Sequence, residues 1–135
     1  MQKTILSHQP GRMDGQAPGF IHKPYIGKED EFQKAVAIYL KFNGALWFHC
    51  PNGGSRNAIE ASKLKAMGVM PGVPDCMVLD ARHGFSGLAI ELKVGKNKPS
   101  EHQLAMTERL VAAGWMVCIS WSLDDVIALI DWWFE

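Results

Sequence analysis

The sequence predicts an α/β domain, a mixed β-sheet flanked by helices, on three observations. Phe32, Val36, Tyr39 and Leu40 recur at helical spacing, so one face of a helix is buried. Two short apolar runs, 75–81 and 87–94, are joined by the turn-forming "RHGFS" and read as a hairpin. A further apolar run, "WMVCIS", lies between two segments that carry helix-capping signals, and such alternation places strands and helices in separate layers.

Residues 1–27 contain Pro10, Pro18, Pro24 and four glycines without a sustained apolar period. They are expected to form an irregular arm, loose or docked on a partner subunit, ahead of a domain over 28–135. The first helix starts near Lys28 and closes at Gly44. "ALWFHC" is a short strand, and "PNGGSRN" a turn from which Ser55 can cap a helix running to about Met67. Pro71 to Pro74 is another turn, and the hairpin follows. Ser100 with Gln103 three residues later, after Pro99, forms a capping-box signature for a helix reaching Ala113. Gly114 ends it, "WMVCIS" returns to the sheet, and Ser122 caps a last amphipathic helix through Asp131. The order is helix, strand, helix, hairpin, helix, strand, helix.

A chain of 135 residues, 47% hydrophobic and 21% charged, has the makings of one compact domain. It holds no apolar run long enough to cross a bilayer and no secretory leader. Cys50, Cys76 and Cys118 lie far apart in apolar segments, which predicts buried thiols in a reducing compartment rather than a disulfide framework or zinc knuckle. Formal net charge is zero, but residues 1–70 carry nine basic against five acidic residues and 71–135 five against nine, so a locally basic surface remains open.

The chemistry concentrates in the hairpin. If it turns about His83 and Gly84, residue pairs whose numbers sum to roughly 166 stand opposite one another, and Asp75 faces Glu91. Opposed residues lie about 4.5–5.5 Å apart at Cβ on the same side of the sheet. Lys93, two residues on, shares that side, and Leu92 points into the other layer. Two carboxylates so close repel each other unless a cation intervenes, and Mg²⁺, held by carboxylates together with substrate phosphate, suits the pair. Turning about 100° per residue, the first helix puts Glu29 and Gln33 on the buried stripe and Asp30 and Glu31 toward solvent.

"GVPD", fifteen intervening residues, "ELK" and the later "SEHQ" resemble the PD-(D/E)XK nuclease superfamily, with its restriction-endonuclease-like core. "EDEFQ", "NGG", "LKAMGVMPGVPD" and "IELKVGKNKPSEHQ", in that order, resemble more narrowly the VRR-NUC (virus-type replication-repair nuclease) domain, over about residues 28–122. The resemblance implies a Mg²⁺- or Mn²⁺-dependent DNA endonuclease, of the stand-alone phage or bacterial kind, acting in the cytoplasm as a homodimer on branched DNA such as Holliday junctions. It assigns Asp75 and Glu91 to the metal, Lys93 to catalysis, Glu29 to the acid of the first helix and Gln103 to the glutamine after the lysine strand. The backbone carbonyl of Leu92 is a further metal ligand by the same likeness, and Glu29 acts through a water. A shift of helix register would pass its role to Asp30 or Glu31.

Plainer readings stand beside these. Asp75 could follow Pro74 as a turn residue, and Glu91 with Lys93 could form a solvated edge pair. Their joint placement in an apolar hairpin favours chemistry. Gln103 could serve only the capping box. Asn52, Gly53 and Gly54 are a turn or a phosphate-contacting loop, and Arg56, Lys63, Lys65, Lys96 and Lys98 are the best set for tracking DNA phosphates. His49 reads as a satisfied structural histidine, the tryptophans at 47, 115, 121, 132 and 133 as mostly core, and Trp132, Trp133 and Phe134 as able to leave an apolar patch, a dimer seam or a lid on the core. The rival functions are a non-enzymatic DNA-binding module or partner-dependent nuclease subunit, and a nuclease acting on linear duplex.

Overall fold

The computed structural model describes residues 2–10, 17–51 and 57–135. A mixed sheet runs in the order β1-β5-β4-β3-β2, from β1 (Ile5–Ser7), β2 (Trp47–His49), β3 (Cys76–Val78), β4 (Leu88–Leu92) and β5 (Met116–Ser120). Among the described residues only the β4–β5 pair is parallel. That pair needs a crossover, which α3 (Glu101–Ala112) supplies. The other helices are α1 (Glu29–Phe42), α2 (Ala58–Ala66) and α4 (Leu123–Trp133).

α1 buries Phe32, Val36 and Leu40, the stripe its spacing predicts, and leaves Tyr39 half-buried with its hydroxyl donating to Asp131. Gly44 follows Asn43, the C-cap, at φ 68°, a left-handed conformation that costs glycine little. α1 and α4 pack against the face of the sheet formed by Cys76, Val78, Leu88, Ile90, Leu92, Met116 and Cys118. Each fully buried side chain of the size of Phe32 or Leu92 contributes roughly 1.5–3 kcal/mol. Strand alternation turns Ala89, Glu91, Val117 and Ile119 to the opposite face, the side of α3.

The hairpin register is the one expected: Cys76 pairs with Ile90, Met77 with Ala89 and Val78 with Leu88, so Asp75 is next in line opposite Glu91. His83 and Gly84 both have positive φ (55° and 81°), as a type I′ turn requires, and Phe85 N–H closes it on Arg82 O at 2.8 Å. The turn bridge Arg82–Phe85 is one residue out of step with the ladder, and residues 79–81 absorb the excess opposite 86–87.

Three expectations are corrected. The N-terminal arm is not wholly irregular: Ile5–Ser7 adds an edge strand antiparallel to β5, and residues 17–28 are tied to the chain's own α4. Buried Asp125 there accepts from Ile21 N–H (2.8 Å), His22 N–H (3.1 Å) and Thr4 Oγ1 (2.5 Å). The N-cap of α2 is Asn57, whose side chain accepts from Glu60 N–H at 2.8 Å; Ser55 lies outside the described residues. Trp132 and Trp133 are core rather than patch, with His83 stacked on Trp132 at 3.8 Å and Trp133 Nε1 donating to Asp80 O. Cys76 and Cys118 are buried as expected, whereas Cys50 is half-exposed.

Gly72 fixes the approach to the site. At φ 79° it lies so close to α3 that a Cβ there would be 2.3 Å from the carbonyl oxygen of His102. Glycine alone lets the turn before Asp75 seat on the helix that carries Gln103.

Candidate active site

Three elements bring one carboxylate each to the same end of the sheet. Glu29 is the first residue of α1, Asp75 immediately precedes β3, and Glu91 lies in β4, a strand buried along its whole length. One oxygen from each lies within 4.8 Å of the others, the geometry of a metal-binding cluster. Lys93 Nζ stands 3.4 Å from Glu91 Oε2.

Asp75 is held on every side. Its Oδ2 accepts from Leu92 N–H at 2.8 Å, and its backbone carbonyl accepts from Cys50 N–H at 2.9 Å and from His49 Nδ1–H at 2.7 Å. The acceptor there is a carbonyl, so the His49 proton sits on Nδ1. Leu92 thus links the acids through its N–H while its side chain lies in the core.

Burial pushes Glu91 up to about 8, assisted by the charge of Asp75 and opposed by Lys93. Asp75 is raised too, chiefly by burial, against the Leu92 N–H, the charges of His49 and Lys93 and a hydrogen bond from Glu91. Glu29, at the exposed rim, is raised by partial desolvation and then by Asp75. Without a cation the pair therefore retains a proton, with Glu91 donating to Asp75. Three carboxylates against one lysine leave negative charge uncompensated, and an all-oxygen donor set of this kind fits a hard divalent cation.

Gln103 serves both of its suggested roles. Its backbone N–H and side-chain Oε1 complete the capping box with Ser100 (3.2 and 2.9 Å), and its Nε2 donates to Glu91 Oε2 at 3.0 Å. The two roles separate by mutation. Ser100→Ala should cost about 1 kcal/mol of stability through the lost cap and leave cleavage near wild type, because the backbone N–H of Ser100 still holds Gln103. Gln103→Ala should cost about 1–2 kcal/mol and lower cleavage about tenfold or more. Urea unfolding beside initial cleavage rates checks both; equal loss of cleavage would reduce Gln103 to a helix cap.

Asp30 and Glu31 lie outside the cluster, both exposed, with Asp30 Oδ1 accepting from Glu31 N–H. Lys63 and Lys65 are exposed on α2, which contributes no buried residue, and Lys96 and Lys98 are exposed on the loop that leaves β4. Asn52, Gly53, Gly54 and Arg56 lie outside the described residues. Cys76, beside Asp75, is pushed up to about 12 by burial and is no nucleophile at neutral pH.

His49 is satisfied, as expected, by the Asp75 carbonyl, and its side chain also belongs to this site. It is exposed and lines, with Glu29, Gln33, Lys34 and Asp75, an open cavity of about 630 Å³. No local pattern marks it, since it reaches Asp75 only through the pairing of β2 with β3.

No family model matches the chain, and no curated protein matches it. Solved structures do. One described as a "VRR_NUC domain protein" is 30% identical, with a TM-score of 0.66 over 81% of this chain and 90% of the other. A second, described as "VRR_NUC domain", is 26% identical, with a TM-score of 0.53 over 78% of this chain and 97% of the other.

Proposed function

The chain belongs to the VRR-NUC nuclease family, and from that premise we propose that it is a Mg²⁺- or Mn²⁺-dependent DNA endonuclease selective for branched DNA such as Holliday junctions. The observation that carries this reading is the convergence of Glu29, Asp75 and Glu91 within 4.8 Å, with Lys93 against Glu91.

Asp75, Glu91 and the backbone carbonyl of Leu92 would hold the cation, with Glu29 contributing through a water. When bound, the cation supplies Lewis-acid stabilisation of the negative charge that develops on the phosphate oxygens. Lys93, on the face shared with Glu91, orients the attacking water and adds a second positive charge at the phosphate. Water gives up a proton to solvent as its oxygen bonds to phosphorus, the phosphorus–oxygen bond to one sugar breaks, and the leaving oxygen takes up a proton from solvent. Gln103 keeps the Glu91 carboxylate aimed at the cluster. Lys63, Lys65, Lys96 and Lys98 contribute phosphate contacts.

Symmetric cutting of a junction needs two active sites, so the working form is a two-fold homodimer. In support, α2 buries none of its residues, and Ile59 and Met67 on and beside it are 84% and 71% exposed, an apolar surface that a second copy can cover. No helix among the described residues is long and apolar enough to cross a membrane.

Cleavage of end-labelled four-way-junction and linear duplex DNA with Mg²⁺, Mn²⁺ or EDTA tests the reading. Metal-dependent cutting confined to the junction is expected. Equal cutting of linear duplex would remove the branch selectivity, and binding without cutting in any metal would leave a DNA-binding module.

A further inference from the structure

An exposed apolar ridge precedes α1, and two hollows share it. Pro24, Tyr25 and Ile26 line both hollows. Ile26 is 89% exposed, yet its mounting is rigid: Tyr25 N–H donates to Trp121 O at 2.7 Å, and the Tyr25 ring stacks on buried Phe32 with centroids 4.8 Å apart. The chain therefore holds an isoleucine in solvent on a fixed base instead of leaving it on a loose loop.

The two hollows differ in charge. One, of about 230 Å³, carries Lys23 but also Asp124. The other, of about 410 Å³, carries Lys96 and no acid, and its wall includes Tyr25 and Trp121, with Gln2 as a hydrogen-bonding edge. Lys96 lies three residues after Lys93 in the chain, a reach of at most about 11 Å, so this hollow is within one or two nucleotides of the phosphate that Lys93 would contact.

We propose that Ile26 is a wedge that unstacks the bases at a DNA branch point and that the hollow beside Lys96 receives the displaced base. Apolar side chains inserted between base steps unstack them, and a base so released regains an aromatic contact, here with half-buried Tyr25 because Trp121 is buried, while lysine takes the adjoining phosphate. Bases at a branch point are already partly unpaired, so the wedge meets least resistance there, which supplies a physical cause for branch selectivity. This inference rests on the DNA-nuclease reading above.

The test places 2-aminopurine at the branch point of a four-way junction, and in a control at the centre of a linear duplex, with EDTA present to prevent cutting. Fluorescence anisotropy follows binding separately. Wild type should raise 2-aminopurine fluorescence on the junction only. Ile26→Ser, at a position exposed enough to spare the fold, should bind without that rise, and Ile26→Leu should retain it. With metal, Ile26→Ser should keep the wild-type rate on whatever linear DNA is cut and lose about tenfold in junction cleavage. Binding and junction cutting by Ile26→Ser at wild-type level, with the same fluorescence rise, would overturn the wedge while leaving the nuclease intact. Absence of DNA binding by wild type would overturn the nuclease reading and the wedge with it.

Discussion

Glu91→Gln should abolish metal-dependent cleavage, by a factor of at least about 10³, and at the same time make the metal-free protein more stable at pH 8. The shape of the side chain is kept and its charge removed. Glu91 titrates at about 8 in the folded protein against 4.5 for the ordinary group, because burial and the neighbouring Asp75 disfavour its carboxylate. Between those values the folded state binds more protons than the unfolded one, so stability is full below pH 4.5 and declines as pH rises toward 8. The decline is on the order of a few kcal/mol. In Glu91→Gln that decline is missing, so under a chelator its melting temperature should equal or exceed that of wild type, with the gap widening from pH 5 to pH 8. Added Mg²⁺ or Mn²⁺ should close the gap by stabilising only the wild type. Thermal melts at the two pH values, with and without metal, check this. An unchanged gap across pH, or a variant that still cuts, would count against Glu91 as a buried metal ligand.

Lys93→Met should lower cleavage by about 10²–10³ while leaving Mn²⁺ binding in place. Lys93 contacts Glu91 but offers no ligand to a cation, so under the proposed function its charge would act on the phosphate and the attacking water. Methionine retains most of the half-buried stem without the ammonium group. Calorimetric titration with Mn²⁺ separates the two variants: Lys93→Met should bind within about tenfold of wild type, and Glu91→Gln should lose most of its affinity. Cleavage at the wild-type rate in Lys93→Met would assign the lysine to structure alone.

Much of the site was legible because it is encoded locally. "PGVPD" and "ELK" flank a hairpin whose His83-Gly84 turn adopts the positive φ values of a type I′ turn, and that turn sets which residues oppose one another. The helical stripe through Phe32, Val36 and Leu40 likewise selects Glu29 over Asp30 and Glu31 without any knowledge of the sheet. Ser100 and Gln103 announce their helix by the capping box.

Other parts left no local trace. Ile5–Ser7 is too short for a period and finds its partner strand at the far end of the chain. The arm over 17–28 has the composition of a loop, and only buried Asp125, more than a hundred residues later, supplies the acceptor for its amides.

The sequence by itself determined the helices, their caps, the hairpin register and hence the opposition of Asp75 to Glu91, because each depends on the geometry of neighbouring residues. Only the tertiary structure decided that Glu29, His49 and Gln103 meet at those two acids, and that Ile26, three residues before Glu29, stands exposed. Those juxtapositions come from packing α1 on the sheet, β2 on β3 and the arm on α4. Such contacts are selected by shape and burial over long chain separations and impose no spacing on the residues that make them.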